Sequence, residues 1–227
     1  AKYNISYTHY TDPAYLGSAG IEENHYLQNE YYINVVGLYR PIRDLAISLA
    51  ADGVVTTMDA DLVDFARPTR GQLLAALSLK YTNWWLTLNG SALFNFVEDI
   101  TQDSPDKIRR FKCSPFISLS FKPIMDANFR LRVFYKNIYR LPTFNDLYYG
   151  RVGNRNLKPE NTHQVNLGAE YLLDNSCNAL PHLLLSADFY YNRVNDKIVA
   201  YPTKNVFTWT MLNYGKVDIM GFDLNAE

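Results

Sequence analysis

Apolar and polar side chains alternate along most of this chain, and a period of two admits little other than β-strands. Tyr3, Ile5 and Tyr7 oppose Lys2, Asn4, Ser6 and Thr8. Leu73, Ala75, Leu77, Leu79 and Tyr81 oppose Ser78 and Lys80; Phe129, Leu131, Val133 and Tyr135 oppose Arg130, Arg132 and Lys136. Val165, Leu167, Ala169 and Tyr171 oppose Gln164, Asn166, Gly168 and Glu170, and Leu183, Leu185, Ala187, Phe189 and Tyr191 oppose Ser186, Asp188 and Asn192. About ten segments follow this rule and none has the period of an amphipathic helix. The expected fold is all-β, an antiparallel wall of about ten up-and-down strands.

The connections narrow it further. Short turns are expected at Pro41–Arg43, Thr82–Asn83, Pro123–Met125 and Asp174–Pro181. Between them lie long polar stretches: 11–27, 56–70, 98–109, 141–161 and 195–205. A sandwich has no reason to place every long connection at one end, whereas a transmembrane β-barrel has short turns on one rim and long loops on the other. No run of eighteen apolar residues exists, which removes a transmembrane helix and leaves a barrel open. Mean hydropathy is −0.22, as alternation requires. Aromatic residues make up 15% of the chain, and Trp84 and Trp85 beside a short turn suit a membrane interface. The net charge of −1 gives no basic face for nucleic acid.

One long connection carries a motif. Arg140, Pro142, Thr143, Phe144, Leu147 and Tyr148 are followed by a Gly/Asn-rich piece and by Asn156, Leu157, Lys158, Pro159 and Glu160. Neither proline fits inside a central strand. Gly150 and Gly153 are expected to supply unusual backbone angles. The two half-motifs, in this order between two strands, resemble the barrel signature of TonB-dependent outer-membrane receptors. Asp188–Tyr191, Asn213–Gly215 and Gly221–Asp223 echo it, so the specific resemblance spans roughly residues 130–227.

The resemblance implies that residues 1–227 are part of a receptor β-barrel of about 22 strands whose lumen is plugged, with the plug domain and C-terminal strands absent. It implies energy-coupled uptake of a scarce nutrient of the ferric siderophore, haem or cobalamin class across a Gram-negative outer membrane. The implied partners are outer-membrane lipid, the receptor's own plug, the TonB protein acting through that plug, and the nutrient ligand. It implies no enzyme activity and no cofactor. Expected ligand or plug contacts are Arg140, Phe144, Tyr148, Tyr149, Arg151 and Arg155, with Arg130 and Arg132 on the strand before them.

The remaining candidates read more quietly. Arg130, Arg132 and Lys136 make a positive row suited to a wet lumen, with Glu160 and Glu170 available to balance it. Receptors of the family often carry an acid where Asn166 stands, which puts a plug contact there in doubt. Asp59, Asp61 and Asp64 suit a solvated acidic loop better than a Ca²⁺ site, since no turn glycine or closing Glu accompanies them. His9, His25, His163 and His182 are scattered, with no metal-binding spacing, so no metal site is expected. Cys113 and Cys177 are expected unpaired at opposite rims, Cys113 near the outer end of its strand and facing the apolar side. Two other readings compete: a complete ten-stranded outer-membrane barrel enzyme such as a protease, and a soluble β-sandwich binding module. The sandwich leaves the loop asymmetry unexplained.

Overall fold

The computed structural model describes residues 1–17, 20–125, 127–150, 152–174, 182–203 and 209–227. They form one ten-stranded sheet: β1 (Lys2–Gly17), β2 (Gly20–Ile42), β3 (Leu45–Ala60), β4 (Thr69–Thr82), β5 (Leu86–Thr101), β6 (Ser104–Phe121), β7 (Phe129–Arg140), β8 (Glu160–Asp174), β9 (His182–Pro202) and β10 (Trp209–Ala226). Each strand pairs with its sequence neighbour, antiparallel wherever the register is defined, and β1 and β10 are the two edges of the open sheet. The one described helix, α1 (Phe144–Tyr148), has five residues. No described helix is long and apolar enough to cross a membrane, which says nothing of a barrel.

The register sorts the two faces as alternation requires. Leu131 sits opposite Ala169 and Ala169 opposite Ala187, while Val133 sits opposite Leu167 and Leu167 opposite Phe189. Ile33, Val35, Leu49, Leu77 and Leu224 are well exposed on this side. A soluble protein rarely leaves so continuous an apolar surface in water. On the opposite face Arg132 pairs with Glu170 at 2.8 Å and with Asp188 at 3.0 Å.

Three of the short turns fall where expected, after Ile42, Thr82 and Phe121, and the one expected at Asp174–Pro181 lies almost wholly outside the described residues. At the β4–β5 turn the Asn83 Oδ1 accepts from the amides of Trp85 (3.1 Å) and Leu86 (2.8 Å), a side chain closing the turn on its own backbone. The long connections differ from expectation. Three of them are chiefly strand: β1 runs to Gly17 and β2 resumes at Gly20, β5 and β6 are separated only by residues 102–103, and β9 continues to Pro202. A polar stretch between two strands can prolong the hairpin, because backbone ladder bonds ask nothing of side-chain polarity. With 23 residues β2 is about twice the length that crosses a bilayer. Real loops remain at 61–68 and 141–159.

The longer strands also move Cys113, which lies mid-strand opposite Phe94 rather than near a rim; it is free and exposed on the apolar face. Cys177 lies outside the described residues.

Prolines mark where the sheet parts. Strands β6 and β7 pair only from Phe116↔Lys136 to Phe121↔Leu131. Pro115 is the next residue of β6, and it has no amide to continue the ladder. Beyond it β6 stays with β5 and β7 with β8. Lys112 reaches across the parting to the Tyr139 ring at 6.0 Å. A cavity of about 480 Å³ lies there, lined by Arg70, Asn95, Ser114, Lys136, Asn137 and Tyr139 among others.

Candidate functional site

Residues 141–159 do not stand out from the rim. They fold back across the inner side of the sheet and pack there. Pro142 and Pro159 stop the two flanking ladders. Thr143 then caps α1: its hydroxyl accepts from the Asp146 amide (3.1 Å) and its own amide donates to the Asp146 carboxylate (2.9 Å). Gly150 has a positive φ of 36°, as expected of it. Gly153 serves differently: a β-carbon there would lie 2.6 Å from the Tyr149 amide nitrogen, so it is needed for close approach rather than for backbone angle.

The loop has its own core. Phe144, Leu147 and Leu157 are buried with Tyr26 of β2, Met58 of β3 and Ile198 of β9. Tyr149 stacks on Tyr26 with ring centroids 4.7 Å apart and meets Tyr10 edge-on at 5.6 Å. Burial pushes the hydroxyls of Tyr148 and Tyr149 above their ordinary range.

Polar ties fix the loop at three places. Glu160, 5% exposed, accepts from the Ile198 amide at 2.6 Å and pairs with Arg140 (3.2 Å) and Lys197 (3.6 Å). Arg140 also reaches Asp146 at 3.0 Å. On β10, Asn213 reads the loop backbone: its Oδ1 accepts from the Lys158 amide (2.8 Å), and its Nδ2 donates to the carbonyls of Lys158 (2.9 Å) and Asp196 (2.8 Å). On β4, Arg70 donates to the Pro142 carbonyl at 2.8 Å and lies 5.1 Å from the Phe144 ring centroid.

Arg70 belongs to a largely buried ion cluster. It holds Asp99 through two hydrogen bonds, 2.6 and 3.1 Å, and Arg110 reaches the same carboxylate at 2.7 Å. Two guanidinium groups thus share one carboxylate on the inner face, and Asp106 lines the same space. A cavity of about 290 Å³ opens there, lined by Arg70, Asp99, Arg110, Tyr148 and Arg155 among others. Arg155 lies 5.3 Å from the Tyr148 ring centroid and 2.5 Å from Asp103, whose carboxyl it holds below the ordinary range.

The expected contact residues therefore divide. Tyr148 and Arg155 converge on the cavity, with Tyr149 and Arg140 in the loop's own ties. Phe144 is buried, 4% exposed, in the loop core. Arg151 lies outside the described residues. Arg130 and Arg132 sit towards the opposite end of β7, where Arg130 donates to Ser120 (3.4 Å) and Arg132 is matched by Glu170 and Asp188. Glu170 thus balances that row as expected, whereas Glu160 serves Arg140 and Lys197 instead. Arg70, Asp99 and Arg110 were missed, since they meet only once the register is known: Arg70 stands directly opposite Asp99.

The acidic loop does not converge either. Asp59 pairs with Arg67 at 2.9 Å and Asp61 with His25 at 2.6 Å. Asp61 accepts from the His25 amide and ring, which hold its carboxyl below the ordinary range. The histidines, scattered in sequence, do not all stay apart in the fold. His9, Glu23 and His25 bring ligand atoms within 4.8 Å of one another. Local spacing hid this set, because His9 and His25 meet across the β1–β2 hairpin.

A family model described as the β-barrel of TonB-dependent receptor-like proteins matches residues 2–227. The vitamin B12 transporter BtuB of Vibrio vulnificus (strain YJ016) is 33% identical over 88 residues, which is 39% of this chain and 13% of that protein. The BtuB of Photobacterium profundum is 32% identical over 95 residues, 39% of this chain and 14% of that protein. Among solved structures, the copper transporter OprC superposes with a TM-score of 0.78 at 16% identity, covering 99% of this chain and 39% of that one. The FrpB iron transporter of Neisseria meningitidis (F5-1 variant) does so with 0.68 at 13% identity, covering 92% and 35%. The chain thus spans well under half of the relatives it matches. With a matching family model over nearly its whole length and a fold shared with these barrels, the chain belongs to the TonB-dependent receptor family, in its β-barrel part.

Proposed function

We propose that this chain is a stretch of barrel wall in an outer-membrane receptor that takes up a scarce nutrient of the cobalamin, ferric siderophore or haem class by energy coupling. The observation that carries the reading is the contrast between faces: one continuous apolar surface outside, and an ion-paired polar surface inside onto which the 141–159 loop folds. The named transport roles of the BtuB relatives support it. The open sheet, with β1 and β10 as edges, fits a longer wall of about 22 strands better than a closed ten-stranded enzyme barrel. A plug would occupy the lumen, and TonB would act on that plug. The wall itself performs no covalent chemistry.

Within this reading the 290 Å³ cavity is a contact point for plug or ligand, with Tyr148, Arg155 and the Arg70–Asp99–Arg110 cluster presenting donors and an aromatic face. Tyr149 and Arg151 belong to the same loop, Arg140 ends the strand before it, and Phe144 supports it from beneath. Arg130, which donates to Ser120 at 3.4 Å, offers a second cation towards the other rim, whereas Arg132 is already matched. The test is uptake by the complete receptor in a Gram-negative host lacking its own receptors, with labelled cobalamin, a ferric siderophore and haem. Accumulation of one of them that stops when TonB is removed supports the proposal. Accumulation of none, or uptake indifferent to TonB, contradicts it.

A further inference from the structure

The structure assigns a divalent transition-metal site to the apolar-side face of the β1–β2 hairpin, made by His9, Glu23 and His25 with Asp61 behind it. His9 and His25 are direct cross-strand partners whose rings lie nearly parallel, 10° apart in plane and 4.5 Å between centroids. Glu23, opposite Thr11 on the next same-face pair, reaches His9 Nε2 at 2.6 Å and His25 Nε2 at 4.0 Å. Thr11 Oγ1 is 3.3 Å from the same His9 nitrogen.

Asp61 distinguishes this set from a chance pair of histidines. An ionised carboxylate only accepts, so the 2.6 Å contact from Asp61 to His25 Nδ1 places the proton on Nδ1. The Nε2 lone pair of His25 is thereby turned towards Glu23. A carboxylate behind a ligating imidazole is the usual way a protein fixes tautomer and ring orientation in a metal site. Asp61 is itself held by the His25 amide at 2.8 Å.

His9 contributes Nε2 by moving its proton to Nδ1, and Glu23 exchanges its hydrogen bond to that proton for a bond to the metal. No net proton is lost when both imidazoles are neutral. Ligand atoms around a tetrahedral Zn²⁺ lie about 3.4 Å apart. A small side-chain rotation closes the present spread of 4.8 Å to that value. Two imidazoles and one carboxylate suit Zn²⁺ or Cu²⁺ and leave coordination positions for water. The bound ion would clip β1 to β2 and, through Asp61, to the loop after β3.

The experiment titrates the complete receptor in detergent with Zn²⁺ against a chromophoric chelator. Wild type is expected to take one equivalent that the H9A/H25A variant does not. Asp61→Asn is expected to weaken binding ten- to a hundredfold. Cu²⁺ added to wild type should give an electron paramagnetic resonance spectrum with nitrogen couplings from two imidazoles, absent in H9A/H25A. His9→Asn with His25→Asn controls for folding, since it keeps polar side chains of similar size. Equal stoichiometry and affinity in wild type and either double variant would overturn the site, as would no Zn²⁺ uptake by wild type. The readout is metal binding, so its outcome is independent of which nutrient is transported.

Discussion

Two connections at the same rim, both long and polar in sequence, become opposite kinds of structure. Residues 141–159 fold inward, bury three apolar side chains and are tied to strands far away in sequence. Residues 11–17 and 20–27 continue the β1–β2 ladder, with one irregularity between Asp12 and Leu16. Proline placement accounts for much of the difference. Pro142 and Pro159 bracket the first stretch and end both ladders, so its backbone must find other partners, and its aromatic residues supply a core to hold them. The second holds Pro13 alone, where the ladder shifts register and then resumes. One stretch is stabilised by tertiary packing and the other by backbone pairing, so substitutions should affect them unequally.

The largest effect should come from Phe144→Ala. Emptying its buried position should cost about 3–5 kcal/mol of local stability. Hydrogen exchange in the complete receptor should show amides of 143–158 losing protection while the ladder amides of 11–17 and 20–24 keep theirs. Loss in both regions together would merge what the comparison separates. Glu160→Ala should follow at about 3 kcal/mol, because it strips a charged acceptor from the Ile198 amide, Arg140 and Lys197 at once. Its readout is protease cleavage within 141–159. Asn213→Ala removes three neutral hydrogen bonds to backbone and should cost about 1–2 kcal/mol, with the same cleavage pattern in weaker form.

The smallest effect is expected for Arg155→Ala. Its pair with Asp103 is about half exposed, so its loss should cost under about 1 kcal/mol. Asp103 has a depressed pKa in the folded chain, so the pair's contribution is complete above the ordinary carboxylate value and fades as pH falls through the lower folded one. Loop protection should therefore not change through this pair between pH 8 and 5. In Arg155→Ala, the Asp103 carbon resonance should titrate at higher pH than in wild type.

Much of this was legible before any coordinates. Strand period and face assignment came from alternation alone, because a buried or lipid-facing side must repeat every second residue. The Arg140–Glu160 motif located a connection with a core of its own. Its direction was not legible: burial of Phe144 depends on Tyr26, Met58 and Ile198, which come from three other strands. The Arg70–Asp99 pair and the His9–His25 stack stayed hidden for a related reason. Each joins residues many positions apart through register, and composition or local spacing carries no trace of it. Strand ends are not legible in polarity, because the ladder continues through polar residues as readily as through apolar ones.

The central claim is that one face of this wall meets lipid and the other meets water. Four consecutive residues of β8 test it most directly. Nitroxide labels would be placed singly at Gln164, Val165, Asn166 and Leu167 of the complete receptor in bilayers, with Cys113 and Cys177 first changed to serine. Labels at Val165 and Leu167 should collide with dissolved oxygen, and those at Gln164 and Asn166 with a water-soluble nickel chelate. Accessibility that fails to alternate, or that alternates with the opposite phase, would contradict the account.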